Sequence, residues 1–362
     1  SLDEVQMLQS LGDSAFARYL LGCFWYSKRR YDEAVSCWRE TLEKSPDYAP
    51  AHRLLGVYSW NKQQDATQAL AYLQRAVALE PDNARFLFEL DFLQKLLARP
   101  VHERLTTLVE RKAVVLKRDD LTAELLSLWN ASGHYADAAA ILDTRVFHPW
   151  EGGEGKITGQ YLLNQLHRAL QFIERGAFKQ ATDCLKAALR YPDNLGEGRL
   201  PGQTDNDIWY LLGYCAEQAG DAQQAAEYYQ LARQGGSTLD AGRYYNDQPA
   251  DYLFWQGIAL RKSGNPAQAE QHFRHFIDWA AQHRDDVPQV DFFAVSLPDL
   301  VVLDVSAQQR HQQHCLFIEA LGHLGLGNVS ACQQRMQQLL QINPAHDKAH
   351  LIRHALQSGI FS

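Results

Sequence analysis

LLGCFWYSKRRYDEAVSCWRETLEKSPD (residues 20–47) and LLGVYSWNKQQDATQALAYLQRAVALEPD (54–82) are two copies of one pattern. Each runs Leu-Gly, an aromatic, a polar turn, an alanine, a bulky side chain four residues on, and a closing Pro-Asp. Pro46 and Pro81 lie 35 residues apart. Every position has a physical reason within a helix–turn–helix. Gly22 and Gly56 let the first helix of each pair approach the second closely. Ala34 and Ala69 are the small partners on that second helix. Trp38 and Leu73 fill the space between neighbouring pairs. Pro46 and Pro81 stop the second helix, because proline lacks the donor and clashes with the preceding turn.

The pattern recurs along the chain. Residues 208–232 carry Trp209, Gly213, Ala225 and Tyr229 in register, and 252–276 carry Gly257, Ala269 and Phe273. Residues 161–193 place Ala169 in the glycine slot, followed by Ala181, Leu185 and Pro192. Residues 315–345 have Ala320, Cys332 and Pro344, and weaker copies cover 84–117 and 121–147. The unit resembles the tetratricopeptide repeat, a helix–turn–helix of about 34 residues. Roughly eight copies are expected, each burying its neighbour's apolar face. The expected fold is all-α, a right-handed superhelical solenoid with irregular loop insertions. Its expected parts are repeats over 1–147, a Gly-rich connection over 148–160, repeats over 161–345 with insertions at 193–207, 235–249 and 283–305, and a capping helix and tail over 346–362, all in one continuous solenoid.

Bulk properties narrow the partners. The chain has 362 residues, 46% of them hydrophobic, and a net charge of −8. That supports a packed core and argues against disorder. No basic run offers itself to a nucleic-acid backbone or an anionic membrane surface. No stretch approaches the roughly 20 apolar residues of a membrane helix, and SLDEVQMLQSLGDSAF at the start lacks the features of a signal peptide. Ser1 in place of Met leads to the expectation of a piece of a longer polypeptide. Six scattered cysteines without a CxxC read as buried reduced thiols of a cytoplasmic protein.

The interruptions carry more information than the repeats. VFHPWEGGEGKITGQ (146–160), YPDNLGEGRLPGQTDND (191–207), GGSTLDAGRYYNDQP (235–249) and HRDDVPQVDFFAVSLPDLVVLDV (283–305) exceed what a turn needs, and long ordered loops are usually functional. The segments HPWEGGEGKITGQY, YPDNLGEG, YYNDQP, DFFAVSLPDLVVLD and HCLFIEALGHLGLGN resemble the C-terminal half of large bacterial proteins. There a tetratricopeptide array follows a β-sandwich region similar to aldose mutarotases and glycoside-hydrolase sandwich domains. The resemblance implies the helical part of a multidomain protein linked to carbohydrate metabolism. It implies loops that contact the sandwich domain or a shared sugar site, and it carries over no catalytic residue.

The contact candidates are His148, Trp150, Glu151, Glu154, Asn194, Glu197, Tyr244, Tyr245, Asn246, Asp247, Asp291, Phe292 and Asp299. Carboxylates beside aromatic rings suit sugar stacking and equally suit a protein interface. Paired loop acids at glycosidase separation would be needed for hydrolysis; solvated acids or helix caps are the plainer reading. His346, His350 and His354 share one helix face without the flanking Glu of a zinc motif, so no metal site is assigned. No G-x-S-x-G and no phosphate-binding loop occurs, and no cofactor is implied. The inner face of the solenoid offers Tyr19, Tyr26, Arg53, Trp60, Tyr210, Tyr214, Phe254 and Arg261. The paired cations that hold chaperone C-termini in other tetratricopeptide proteins are not matched at Tyr19, Cys23, Arg53 and Val57. Three readings follow: a scaffold docking a carbohydrate-related protein domain, a chain contributing acids and aromatics to a glycosidase-like or epimerase-like site, and a free peptide-binding adaptor.

Overall fold

A computed structural model describes residues 6–8, 10, 14–242, 247–288 and 302–361. In chain order the helices are α1 (Ala15–Ser27), α2 (Tyr31–Lys44), α3 (Ala49–Tyr58), a π-turn (Ser59–Gln63), α4 (Ala66–Leu79), α5 (Ala84–Leu96), α6 (Val101–Glu110), α7 (Lys112–Val115), α8 (Asp119–Ala131) and α9 (Tyr135–Leu142). They continue with α10 (Lys156–Glu174), α11 (Phe178–Ala188), α12 (Asn206–Gln218), α13 (Ala222–Ala232), α14 (Tyr252–Lys262), α15 (Pro266–His283), α16 (Ala307–Gly325), α17 (Val329–Ile342) and α18 (Asp347–Gln357). No strand occurs among the described residues. The protein is an all-α repeat solenoid built from helix hairpins, α1/α2, α3/α4, α10/α11, α12/α13, α14/α15 and α16/α17.

The chain divides into two compact units. The first holds the described residues up to Leu97, Glu110–Leu121 and the short segment 302–305. The second holds Ala98–Val109 and the described residues of 122–300 and 306–361.

In the first unit the helix starts are capped as their sequences dictate. The Ser14 hydroxyl accepts from the Ala17 amide, Asp65 from Gln68, and Asn83 from Arg85 and Phe86. The α1/α2 crossing depends on Gly22: a Cβ there would lie 2.4 Å from Trp38 Nε1 and 3.0 Å from the Ala34 carbonyl. Ala34 and Trp38 are fully buried with Ala51 and Leu55 in one cluster. Leu55 contributes about 1.5–3 kcal/mol on burial and the larger Trp38 about as much or more, so these two side chains dominate the contact between α2 and α3.

The second hairpin departs from the others by one residue. Gly22 to Ala34, Ala169 to Ala181, Gly213 to Ala225 and Gly257 to Ala269 each span twelve positions, whereas Gly56 to Ala69 spans thirteen. The extra residue is absorbed in the π-turn, where the Ser59 carbonyl accepts from the Gln64 N–H and also from the Asp65 N–H at 2.9 Å. Gln64 then takes the left-handed conformation at φ 54°.

In the second unit α10 begins at Lys156, so Gly159 lies within its first turn rather than ahead of it. The terminal α18 covers more than the end of α17, because it also packs on α10. Its apolar face buries Leu351, Ile352 and Ala355. Its polar residues also point inward: Asp347 accepts from Ser127 Oγ at 2.7 Å and Gln160 Nε2 at 2.8 Å. Lys348 pairs with Asp251 at 3.1 Å and Asp207 at 3.6 Å. Burial raises the Asp207 carboxyl to about 6 despite Lys348. Burial pulls the Lys348 ammonium down, but Asp251 and Asp207 together hold it above its ordinary value.

Candidate interaction grooves

The inner-face residues of the first unit are Tyr19, Tyr26, Arg53 and Trp60. Tyr19 packs edge-on against Tyr48 at 5.2 Å between ring centres, and Tyr26 lies 5.5 Å from Trp38. Arg53 is engaged within the unit: its guanidinium donates twice to Glu89, at 2.6 and 2.7 Å, and Arg85 adds a third bond to the same carboxylate. With Glu89 only 2% exposed, this ion pair ties α3 to α5 rather than presenting a free cation.

The π-turn does something a plain helical turn would not. It puts Trp60 and Asn61 side by side, and both bond the main chain of the segment after the third insertion. Asn61 Nδ2 donates to the Val302 carbonyl at 2.8 Å, and the Asp304 amide donates back to Asn61 Oδ1 at 2.8 Å. Trp60 Nε1 donates to the Asp304 carbonyl at 2.9 Å. One side-chain amide thus satisfies a carbonyl and an N–H two residues apart, across a main-chain bend at Val302 and Leu303. Between those contacts Leu303 is fully buried, while Asp304 is exposed. The Tyr26 phenol, raised chiefly by burial, lies near enough to Asn61 and Asp304 to be influenced by both.

The inner-face residues of the second unit are covered by its own end. Tyr210 and Phe254 are 2% and 0% exposed. Tyr210 Oη donates to the Ile360 carbonyl at 3.4 Å, and the Phe361 ring lies 5.4 Å from Phe254 and 5.8 Å from Trp255. Tyr214 is half-buried against the core. Arg261 donates to the Gly325 carbonyl and covers the Phe273 ring. A cavity of about 550 Å³ remains between Arg261, Lys262, Leu324 and the terminal residues Ile360 and Phe361.

The first two insertions meet. Asn194 Nδ2 donates to the carbonyls of Leu142 and Arg145, both at 2.8 Å, and its own carbonyl accepts from the Phe147 amide. Glu197 accepts from the Gly155 amide at 3.0 Å and from Thr158 Oγ1 at 3.4 Å, which neutralises orphan donors at the start of α10. Asn194 and Glu197 are therefore engaged within the joint. His148, Glu151 and Glu154 are exposed, and Trp150 is half-buried with its indole where a Cβ on Gly153 would sit. Asp247 is exposed. Tyr244, Tyr245, Asn246, Asp291, Phe292 and Asp299 lie outside the described residues.

The histidines of the terminal helix each have a local task. His346 Nδ1 caps α18 by accepting from the Ala349 amide at 3.1 Å, and His350 Nε2 lies 2.7 Å from the Pro344 carbonyl. His354 stacks with Tyr135 and His167; its Nδ1 lies 2.9 Å from His167 Nδ1, and its Nε2 lies 3.3 Å from Glu174. Among the described residues no group of three or more His, Cys, Asp or Glu could hold a metal ion. All six thiols are free, and burial pushes those of Cys215 and Cys332 up to about 12, which leaves them unreactive. No described helix is long and apolar enough to cross a membrane.

Asn61, Leu303 and Asp304 are the residues that reading the sequence missed. The one signal for them was the thirteen-residue spacing between Gly56 and Ala69.

This architecture defines a class: helical repeat proteins built from stacked helix hairpins. Residues 26–84 and 166–242 match the family model of the tetratricopeptide repeat, and these two segments are tetratricopeptide repeats. Among solved structures the chain is similar to PilW, a widely conserved type IV pilus biogenesis factor, at 17% identity and a TM-score of 0.31, covering 60% of this chain and 90% of that one. It is similar to a tetratricopeptide repeat protein from Parabacteroides merdae at 12% identity and a TM-score of 0.38, covering 88% and 98%. A structure of Naa15/Naa10 bound to HypK-THB matches at 14% identity and a TM-score of 0.41, covering 99% of this chain but 58% of that one.

Proposed function

We propose that the chain is a protein-interaction module whose first unit takes a polypeptide segment through its main chain at Tyr26, Trp60 and Asn61. The observation that carries this reading is the set of three hydrogen bonds between the Trp60 and Asn61 side chains and the main chain of a bent segment, two donated by the side chains and one accepted by Asn61. Main-chain recognition gives affinity without demanding a particular sequence, and burial of one aliphatic side chain, as of Leu303, supplies the preference. The tetratricopeptide repeats support a scaffold role of this kind.

The test is selection from a library of peptides displayed against the full chain. Selected peptides should lose about tenfold or more in affinity on Trp60→Ala or Asn61→Ala, since each substitution removes hydrogen bonds of about 1 kcal/mol or more together with packing. Lys179→Ala, on an exposed turn of α11, should change nothing. Peptides that bind equally well to all three variants would refute the groove.

The more specific reading, docking of a carbohydrate-related domain, rests on the resemblance of the loop motifs. It predicts that such a domain binds through the exposed Glu151 and Glu154 edge. Glu151→Gln with Glu154→Gln should then weaken that assembly while leaving groove peptides unaffected.

A further inference from the structure

The second unit holds a cavity of about 550 Å³ that the groove of the first unit does not involve. Small-molecule pockets run from about 300 to 1,000 Å³. Tyr210, Phe254 and Leu324 line this one from α12, α14 and α16, and Ile360 and Phe361 add a further wall. Arg261, Lys262 and Val329 stand at its exposed rim. Walls of this kind favour an apolar body, because covering them removes apolar surface from water.

The rim sets the charge of what can bind, since its two cations are not equivalent. Lys262 is engaged within the unit. Its ammonium lies 2.9 Å from Glu217 Oε2, and the same carboxylate accepts from Tyr229 Oη at 2.6 Å. Arg261 has no carboxylate partner among the described residues. Its guanidinium donates to the Gly325 carbonyl and lies over the Phe273 ring, 5.4 Å from the ring centre. Glu270, which borders a second cavity together with Arg261, pairs instead with Arg274 at 2.6 Å. Arg53, Arg104, Arg199 and Arg335 differ in this respect, because each is paired with a carboxylate. The carbonyl and the ring hold the Arg261 guanidinium in place without cancelling its charge, and the planar fork keeps further N–H groups to donate. That charge reaches the cavity wall: burial raises the Tyr210 phenol, and Arg261 opposes the rise.

We infer that this cavity is a binding site for a small organic monoanion, with an apolar body against Phe254, Leu324 and Phe361 and a carboxylate on Arg261. One uncompensated cation matches one negative charge, and a planar carboxylate matches the guanidinium fork. A phosphate dianion would bring a second charge to a rim whose other cation Glu217 already neutralises, and it would leave the apolar walls uncovered. A neutral apolar molecule would gain the walls alone. The site shares no residue with the Trp60 and Asn61 groove, so it holds or fails independently of the interaction reading.

The experiment titrates the full chain calorimetrically with 4-phenylbutanoate, with its neutral counterpart 4-phenylbutanamide and with inorganic phosphate. The acid should bind about tenfold or more tightly than the amide and than phosphate. Arg261→Gln should lower the acid to the affinity of the amide and leave the amide unchanged, which separates lost charge from lost packing. Val329→Trp, at a position 38% exposed where α17 begins, puts an indole into the mouth and should abolish binding of both. Asn61→Ala in the first unit should alter neither. The inference is overturned if acid and amide bind the parent chain alike, if Arg261→Gln leaves the acid as tight as before, or if Val329→Trp still admits both. The acid-to-amide ratio is read on the unaltered chain, so a variant that fails to fold does not mask the outcome. A glycine-rich hexapeptide ending in Phe with a free carboxyl group offers the same chemistry on a polypeptide, and it should bind no more tightly than 4-phenylbutanoate. Binding about tenfold tighter would make the occupant a polypeptide end and overturn the small-molecule assignment.

Discussion

A glycine is required in one place and dispensable in another, according to what a single methyl group would meet. At Gly22 a Cβ would sit 2.4 Å from Trp38 Nε1 and 2.6 Å from Trp38 Cδ1, in a ring that is itself fully buried. Trp38 cannot withdraw without opening the core, so Gly22→Ala is expected to destabilise the first unit by about 1–3 kcal/mol in urea denaturation. Gly159 is the opposite case. It lies inside the first turn of α10, and nothing stands within 4 Å of an added Cβ. Gly159→Ala should stabilise the second unit by about 0.5–1 kcal/mol, because alanine restricts the unfolded chain at a helical position. A fall in the denaturation midpoint would mean the position is not helical in solution. Sequence reasoning saw the role of Gly22 because its partners, Ala34 and Trp38, lie on the next helix at a regular spacing. It misjudged Gly159 because three glycines and a proline upstream made the whole stretch look like loop.

At the scale of an element, the π-turn is the feature with the most to lose. Deleting Gln64 restores the twelve-residue spacing found in the other hairpins. The expected protein keeps its helices, and its stability changes little, since the turn keeps one left-handed residue, as Arg29 supplies in the first hairpin without an insertion, and the crossing of Gly56 with Leu73 is untouched. Trp60 and Asn61 would rotate out of register by roughly a quarter of a turn or more, and the Asp304 amide should lose its protection. An unaltered exchange rate at Asp304 would show that the turn does not aim the clamp. The terminal helix α18 teaches a related lesson. As a capping helix it is expected to bury one face, and Leu351, Ile352 and Ala355 supply it. Nothing in that expectation reveals that Asp347 and Lys348 turn inward as well, because their partners Ser127, Gln160, Asp207 and Asp251 come from four distant places in the chain.

At the scale of the molecule, the buried histidines predict acid sensitivity of the second unit. Burial holds His167, His272, His314, His346, His350 and His354 below the ordinary imidazole value, His346 at about 4. The folded state therefore binds fewer protons than the unfolded chain once the pH falls below about 6.5. Stability is fully present above that pH and declines as the pH drops toward 4. Asp207, raised to about 6, acts in the opposite sense over part of the range and offsets about one histidine. His346→Asn isolates one contribution. Asparagine is an equally good helix cap, so the cap on the Ala349 amide survives while the titrating group is gone. Between pH 6.5 and 4 the slope of stability against pH should fall by up to about 1.4 kcal/mol per pH unit relative to the parent. A slope unchanged by the substitution would place the acid sensitivity elsewhere.

The sequence by itself determined the helices, their pairing into hairpins and the residues at each crossing. Those depend on contacts between positions such as Gly22, Ala34 and Trp38, close in the chain and fixed by helical periodicity. It also showed where the repeat is interrupted. Only the tertiary structure decided what the interruptions do: that Asn194 and Glu197 close a joint between two loops, that Phe361 covers Phe254, and that Leu303 is buried beside a clamp made by Trp60 and Asn61. The physical reason is range. A periodic pattern constrains neighbours one or two helices away, but the meeting of Asn61 with Val302 spans 241 residues, and no local preference encodes the path of the chain that brings them together.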